Sequence, residues 1–111
     1  MKGLIQLIRL EVIKNALLGV SSNVYHYAAP PNQTPPYIVW GEDGAHDFVA
    51  GNKHMEQAYQ GTVDLYTTQE NDPLMTSIPN ALNDTEAAWY LNSVQYEEDT
   101  KLIHYEWVFE V

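Results

Sequence analysis

The spacing of hydrophobic residues in the first part of the chain predicts a helix. Residues 3–18 carry apolar side chains at helical intervals, marked by Leu4, Ile8 and Val12, and Gly19 follows the last of them. Apolar positions that recur every three or four residues form one stripe on a helix surface. The sequence therefore predicts an amphipathic helix that ends beside Gly19.

This helix has more apolar surface than a single packed face requires. Leu7, Leu10 and Leu18 widen the stripe until few polar positions remain. A helix with two apolar sides buries one against its own sheet and needs a second layer or a neighbouring subunit for the other. Leu7, Leu10 and Leu18 are therefore predicted to contribute to an assembly interface.

Several later stretches concentrate aromatic and β-branched residues, which is typical of strands. The polar triplet 42–44 predicts a turn after the second of these stretches, and residues 45–53 fit either a weak strand or a flexible loop. Gly61 within the third predicts a bulge or a close approach of two backbones. The predicted strands are Val24–Tyr27, Tyr37–Gly41, His54–Thr68 and two strands within Ala88–Val111.

The C-terminal stretch reads as a hairpin whose second strand alternates strictly. Large apolar side chains occupy one face from Ile103 to Val111, whereas His104, Glu106 and Glu110 occupy the other. The alternation predicts that the apolar face lies against helices. The predicted sheet core consists of Tyr59, Val63, Leu65, Tyr105, Trp107 and Phe109.

The hairpin tip is polar and is predicted to protrude. Glu97, Glu98, Asp99 and Lys101 lie between the two apolar runs, where charged residues usually form a solvated turn. In an assembly such a tip is able to touch a neighbour. These four residues are therefore predicted assembly residues beside the helix leucines.

Residues 72–84 predict a second, shorter helix. Asp72 and Pro73 suit its start, because Asp favours the N-cap position and Pro is tolerated in the first turn. Leu74, Ile78 and Leu82 give it an apolar face. Pro79 conflicts with this assignment, since proline removes a backbone donor and is expected to kink or shorten a helix.

These elements predict an α+β protein. The N-terminal helix and the second short helix are expected on one face of a mostly antiparallel four- to five-stranded sheet that ends in the C-terminal β-hairpin. The chain, residues 1–111, is expected to form one domain. The proline-rich stretch 28–36 is interpreted as a stiff connector between strands, with a polyproline docking motif as the less favoured alternative.

Charge and composition narrow the function classes. Fifteen Asp and Glu residues oppose five Lys and Arg residues, giving a formal net charge of −10. Such a surface repels phosphates, so no specific nucleic-acid binding is expected.

The absence of cysteine removes disulfides, thiolate metal sites and cysteine nucleophiles. No apolar run reaches about 18 residues, so no membrane span is expected, and Arg9, Glu11 and Lys14 interrupt the N-terminal stretch that a signal peptide would need.

No chemical motif stands out along the chain. P-loop, dinucleotide-binding, HExxH and GxSxG patterns are all absent. His26, His46, His54 and His104 lack the helical spacing of zinc ligands, although Asp47 or Glu106 lies nearby in the sequence. No catalytic residue, metal or cofactor is predicted. A small-ligand or enzyme domain that uses the histidine and carboxylate faces, and an acidic mimic of DNA, stay open as alternatives.

Several blocks of the sequence are similar to a family of small phage proteins. The blocks are Val24–Pro31, Pro35–Trp40, Glu56–Asp64, Leu91–Thr100 and Ile103–Trp107. They resemble the tail completion or tail terminator proteins of long-tailed phages and prophages of Gram-positive bacteria. The likeness extends from about Val24 to Val111 and marks no single catalytic position.

The resemblance implies a structural role without catalysis. Such a protein assembles into a homo-oligomeric ring, typically a hexamer, that caps the head-proximal end of the tail tube and joins it to the head connector. Its implied partners are other copies of itself, the major tail protein and the head connector protein. Its implied location is the virion tail or neck, after assembly in the host cytoplasm. Another neck adaptor, a connector or a stopper, is the alternative within the virion.

Overall fold

Two helices pack on one face of a five-stranded mixed sheet in the computed structural model, which describes residues 2–49 and 55–111. The helices and strands, in chain order, are α1 (Lys2–Leu18), β1 (Val24–His26), β2 (Tyr37–Val49), β3 (Met55–Thr67), α2 (Leu74–Asn83), β4 (Ala88–Glu97) and β5 (Leu102–Glu110). The predicted α+β architecture with its C-terminal hairpin is confirmed.

The strands lie in the spatial order β1-β2-β3-β5-β4. Strand β1 is parallel to β2, and every other neighbouring pair is antiparallel. The parallel pair is possible because residues 27–36 carry the chain back along the sheet before β2 begins. Strands β1 and β4 therefore form the two outer strands.

The predicted turn at residues 42–44 is wrong, because β2 continues through it to Val49. The register of β2 against β3 shifts between Glu42 and Gly44, which makes a bulge beside Gly61. A Cβ atom on Gly61 would overlap the carbonyl oxygen of Gly41. Long-range pairing with β3 thus overrides the local turn preference, and Gly61 gives the bulged backbone room.

The other ambiguous stretches are resolved in part. Residues 45–49 belong to β2, as the strand interpretation proposed, whereas residues 50–54, with His54, Gly51 and Asn52, lie outside the described residues. Helix α2 runs through Pro79 without interruption. Burial of Ile78 and Leu82 on the sheet holds this segment helical despite the missing proline donor, so the expected shortening does not occur.

The core lies between the helices and the sheet face that they cover. Register places alternate residues of β2, β3 and β5 on this face, and the sheet side chains that meet α1 and α2 there are almost fully enclosed. The buried cluster consists of Leu10, Ile13, Leu17, Ile38, Trp40, Val63, Leu65, Ile78, Leu82, Trp107 and Phe109.

A buried hydrogen bond joins the end of β3 to the start of α2. The Asp72 carboxylate accepts from the Thr67 hydroxyl at 2.6 Å and from the backbone amide of Leu74 at 2.9 Å. Asp72 and Thr67 are 4% and 1% exposed. The predicted capping role of Asp72 is therefore accompanied by a tertiary contact that sets where α2 leaves the sheet.

Candidate assembly surfaces

The three leucines of α1 that the sequence proposed for assembly have different surroundings. Leu10 is 7% exposed and belongs to the core, whereas Leu18 is 45% exposed. The side chain of Leu7 lies outside the described part of the structure. Leu10 points toward the sheet because it is three and seven residues from Ile13 and Leu17, which are fully buried. Leu10 is therefore a core residue and offers no surface to another chain.

The acidic hairpin tip protrudes in part. Glu98, Asp99 and Lys101 are exposed, whereas Glu97 is the last residue of β4 and is half-buried. The Thr100 hydroxyl donates to Glu97 at 3.2 Å, and Lys101 adopts a left-handed backbone conformation with φ of 59°. The turn is thus closed by its own side chains, with three charged groups left facing solvent.

The residues proposed as sheet core occupy one face of the sheet. Four of them are almost fully enclosed, and the two tyrosines are partly buried and pack against the same cluster. The Tyr105 hydroxyl lies 3.5 Å from the Met75 sulfur of α2, which places this helix over β5. The six residues are Tyr59, Val63, Leu65, Tyr105, Trp107 and Phe109.

Strand β4 carries an apolar surface that the sequence analysis did not single out. Tyr90, Leu91, Val94 and Tyr96, here called the β4 strip, are each about half exposed, from 49% to 59%. Helix α2 reaches only the start of this strand, where the Trp89 indole donates to the Asn83 side chain at 2.9 Å. The helices cover β2, β3 and β5 but leave the outer strand bare.

A sequence signal for the β4 strip was present. The stretch from Ala87 to Tyr96 contains no charged residue, although the whole chain is strongly acidic. Alternating apolar residues in the hairpin indicated that one of its faces is covered. How much of that face is covered depends on how far the two helices extend across the sheet, which the pattern does not show. Only the strand order shows that β4 is an outer strand.

The sheet face opposite the helices, here called the open face, carries an aromatic and acidic row. The Tyr37 and Tyr66 rings stack with centroids 5.0 Å apart, and the Tyr66 and His104 rings stack at 4.3 Å. Nε2 of His104 lies 2.6 Å from the Asp64 carboxylate. Burial, with the nearby charges of Asp64 and Glu97, raises the pKa of Tyr66 to about 12.

The His104 side chain is held between two carboxylates. Its Nδ1 atom lies 4.0 Å from Glu97 while Nε2 meets Asp64. The hydrogen bond to Asp64 raises the pKa of His104, burial opposes this, and the charges of Asp64, Glu97 and Glu106 add to the increase. A raised pKa and carboxylates beside both nitrogens suit an imidazolium that bridges acidic groups better than a general base. We therefore interpret the contact between His104 and Asp64 as structural.

A second polar cluster lies where β1 meets the bulge of β2. The His26 ring stacks on Trp40 and on Tyr27, with centroids 4.1 Å and 4.0 Å apart, and its Nε2 atom lies 2.7 Å from Glu42. A hydrogen bond to Glu42 raises the pKa of Tyr27. The Tyr27 ring also lies against Gly41, where an added Cβ would come within 2.7 Å of it. These contacts fix the chain reversal after β1.

Acidic groups concentrate on the open face. By register, four carboxylates whose side chains the structure describes share it, and the described Lys and Arg residues lie on α1 or at the hairpin tip. The Glu106 carboxylate accepts from the Asn92 side chain at 2.8 Å. The four acidic residues are Asp64, Glu97, Glu106 and Glu110. The open face thus combines negative charge with a row of aromatic rings.

Two cavities of the described structure are lined by neither member of the His104–Asp64 pair. One of about 560 Å³ lies beneath the proline-rich connector and is lined by residues such as Tyr37, Tyr66 and Leu102. Another, of about 620 Å³, is a groove between α1 and α2. Neither is lined by His104 or Glu106. Within the described residues, no group of three or more His, Asp or Glu side chains is arranged to hold a metal ion, and no helix there is long and apolar enough to span a membrane.

Comparison with known proteins gives a match in structure but none in sequence. No protein-family model and no curated protein matches this chain. Among solved structures, the chain is similar to a protein chain from the virion of a native gene transfer agent particle, with a TM-score of 0.58 and 13% sequence identity. The similarity covers 88% of both chains. The protein therefore has the fold of a chain found in a gene transfer agent virion, over nearly its whole length.

Proposed function

We propose that this protein is a structural component of a phage-type virion. The observation that carries the proposal is the fold shared over 88% of both chains with a chain of a gene transfer agent virion. The matched length matters, because a shared helix or hairpin alone would be common to many unrelated proteins. The virion context agrees with the phage tail family that the sequence resembles.

The more specific proposal is that of a tail terminator. In this role a ring of identical copies, a hexamer in the implied arrangement, caps the head-proximal end of the tail tube. It contacts the major tail protein on one side and the head connector on the other. The β4 strip supports an assembling protein, since Leu91, Val94 and Tyr96 form an uncovered apolar row on the helix side of the sheet, whereas Tyr90 faces the open side, and a monomer rarely leaves such a row exposed.

The open face suits the inner wall of such a ring. Its carboxylates and the charges around His104 would repel the phosphates of DNA that passes through the channel. Repulsion lets DNA slide without binding, which is the property a conduit needs. The small-ligand alternative has less support, because neither of the larger cavities is lined by His104 or Glu106.

Deleting the gene from the phage or prophage that encodes it tests the role. Loss of a terminator is expected to give tails of abnormal length by negative-stain electron microscopy, and a plasmid copy of the gene is expected to restore a uniform length. Tails of normal length beside heads that have leaked DNA would instead assign a stopper or connector role. Particles that are normal in both respects would refute a virion role.

A charge-reversal pair tests the channel proposal separately. Glu106→Lys with Glu110→Lys is expected to preserve tail length while slowing DNA delivery, measured as a lower fraction of infective particles among intact ones. A matched pair outside the strands, Glu11→Lys on α1 with Glu86→Lys in the loop before β4, controls for net charge. Equal infectivity of the two pairs would show that the open face does not meet DNA.

A further inference from the structure

Both ends of the sheet leave a strand edge without a partner among the described residues. Strand β4 pairs with β5 on one side only, so its outer edge is open along the whole strand. At the opposite end β1 pairs with only Ile38–Trp40 of β2. The edge of β2 from Gly41 to Val49 is therefore open as well. Two open edges of similar length lie at opposite ends of one sheet.

The β4 edge lacks most of the features that normally protect an outer strand. Such edges usually carry charges, prolines or inward-facing lysines, which prevent pairing with other chains. From Ala88 to Tyr96 the strand has neither a charge nor a proline, and its single irregularity is a bulge at Asn92. Four of the seven large hydrophobic residues that stand exposed in the described structure form the β4 strip. This edge has the composition of an interface.

We propose that β4 pairs with the open part of β2 in a second copy of this chain. Each copy has a formal charge of −10, and the open part of β2 itself carries Glu42, Asp43 and Asp47, so two copies repel least where that edge meets an uncharged surface. The uncharged β4 edge is such a surface. Because β4 runs antiparallel to β2 within one sheet, copies in the same orientation bring these edges together as an antiparallel ladder.

Side-chain facing agrees with this pairing. Val94 lies opposite Tyr105 and Ala45 opposite Tyr59, so both lie on the side of the sheet that the helices cover. We align the two strands with Val94 opposite the partner's Ala45. Asn92, which is bulged out of β4, has no opposite residue in this alignment, and the ladder ends with Trp89 opposite the partner's Val49. The helix-side residues of the two strands then stay in phase throughout.

Strand β1 determines the offset between copies. Within one sheet Leu91 is level with Trp40, through Trp107 and Val63. In the proposed ladder Leu91 lies opposite the partner's Asp47 instead, because β1 already pairs with Ile38–Trp40 of the partner's β2 edge. The two alignments differ by six residue positions, which is about 20 Å along the strand direction. The four strands β2, β3, β5 and β4 of one copy span about 19 Å across the sheet, so a displacement of this size per copy tilts the strands by about 45°. Closed sheets have tilts of about 35–45°.

This contact joins two different surfaces and therefore builds a ring or a filament, not a two-fold dimer. It deepens the proposed function and rests on it for the closure into a ring. The open face and the helix face would each be continuous around such a ring. The next copy would then lie beside Leu91, Val94 and Tyr96 on the helix side, where no helix of the same chain covers them.

Cysteine cross-linking tests the pairing, because the protein has no cysteine of its own. The variants Val94→Cys and Ala45→Cys are purified, mixed and oxidised, and the products are identified by mass spectrometry. Neighbouring antiparallel strands have Cα atoms about 4.5–5.5 Å apart, which suits a disulfide. The mixture is expected to give the Val94–Ala45 cross-link, whereas Leu18→Cys mixed with Ala45→Cys, the matched control, is expected to give none.

A predominant cross-link between two Val94→Cys chains would show two-fold pairing of β4 and overturn the proposal. Absence of both cross-links would overturn it as well. In sedimentation experiments at rising concentration, Leu91→Lys is expected to stay monomeric, whereas Val12→Lys, a change at an exposed apolar residue of α1, is expected to associate like the unchanged protein. Equal association of the two variants would also refute the pairing. The gene-deletion experiment tests the tail function and does not depend on how β4 pairs. A failed interface can therefore be distinguished from a failed functional proposal.

Discussion

Replacing Trp107 with alanine tests how the closing strand is oriented. Trp107 is 2% exposed and lies at the centre of the sheet, level with Val63 on β3 and Leu91 on β4. The adjacent Glu106 points to the open face, where it accepts one hydrogen bond from Asn92. The two neighbours in sequence therefore contribute to opposite faces, and their substitutions are expected to differ strongly in effect.

The expected loss follows from the buried area. A buried aromatic side chain removes about 150–250 Å² from water, which corresponds to about 4–6 kcal/mol at about 25 cal/mol per Å². Alanine retains a little of this area and the surroundings relax only in part, so we expect Trp107→Ala to lower the free energy of unfolding by about 3–5 kcal/mol. A domain of this size has a total stability of about 5–15 kcal/mol, so much of it would be lost.

Urea unfolding followed by far-ultraviolet circular dichroism measures the effect. The urea concentration at the unfolding midpoint should fall, while the slope of the free energy of unfolding against urea concentration stays unchanged. The melting temperature should drop by roughly 12–20 °C. The control variant Glu106→Ala is expected to change the free energy of unfolding by less than about 1 kcal/mol, since it removes one exposed hydrogen bond. A large loss for Glu106→Ala together with a small loss for Trp107→Ala would reverse the facing of β5.

Three further predictions address contacts elsewhere in the fold. Gly61→Ala is expected to destabilise the protein by about 3 kcal/mol or more in the same urea assay, because its Cβ would overlap the backbone of the β2 bulge; an unchanged midpoint would mean that the two strands lie further apart. A double-mutant cycle of Thr67→Val and Asp72→Ala is expected to give a coupling energy of about 1.5–3 kcal/mol, as for a buried hydrogen bond to a charged group, and additive losses would contradict it. The pKa of His104, followed by nuclear magnetic resonance, is expected above its ordinary value and to fall in the Asp64→Asn variant. Because protonation is favoured in the folded state, the stability that His104 contributes is complete below about pH 6.5 and is lost as the pH rises through the raised pKa; a contribution that grows with pH would refute the contact.

Regular periodicity in the sequence determined most of the elements and their facing. The alternation from Ile103 to Val111 placed Trp107 and Phe109 on the covered face, and the predicted extent of α1 was correct. The facing of α1 was predicted less well, because Val12 of the predicted stripe is 39% exposed. Both patterns are strong because each repeats over several turns or rungs, so one unusual residue does not obscure them. The second helix was also recoverable, although Pro79 suggested a break.

The errors arose where distant pairing overrides local preference. The triplet 42–44 has turn composition, yet pairing with β3 absorbs it as a bulge beside Gly61, whose missing side chain leaves space. Leu10 belonged to an apolar stripe that was too broad to divide by sequence alone. The packing of α1 against the sheet decided that Leu10 is buried and Leu18 exposed.

Periodicity and charge are local properties that can be counted along the chain, and they were sufficient to predict an acidic α+β chain with one strongly apolar hairpin face. The order of the strands is visible in the folded chain alone, and it makes β4 an outer strand whose apolar side chains stay uncovered. It also brought Asp64 and His104, forty residues apart in the chain, into contact on the open face. Strand order and such contacts depend on which distant segments pair, and a single sequence records that choice only indirectly.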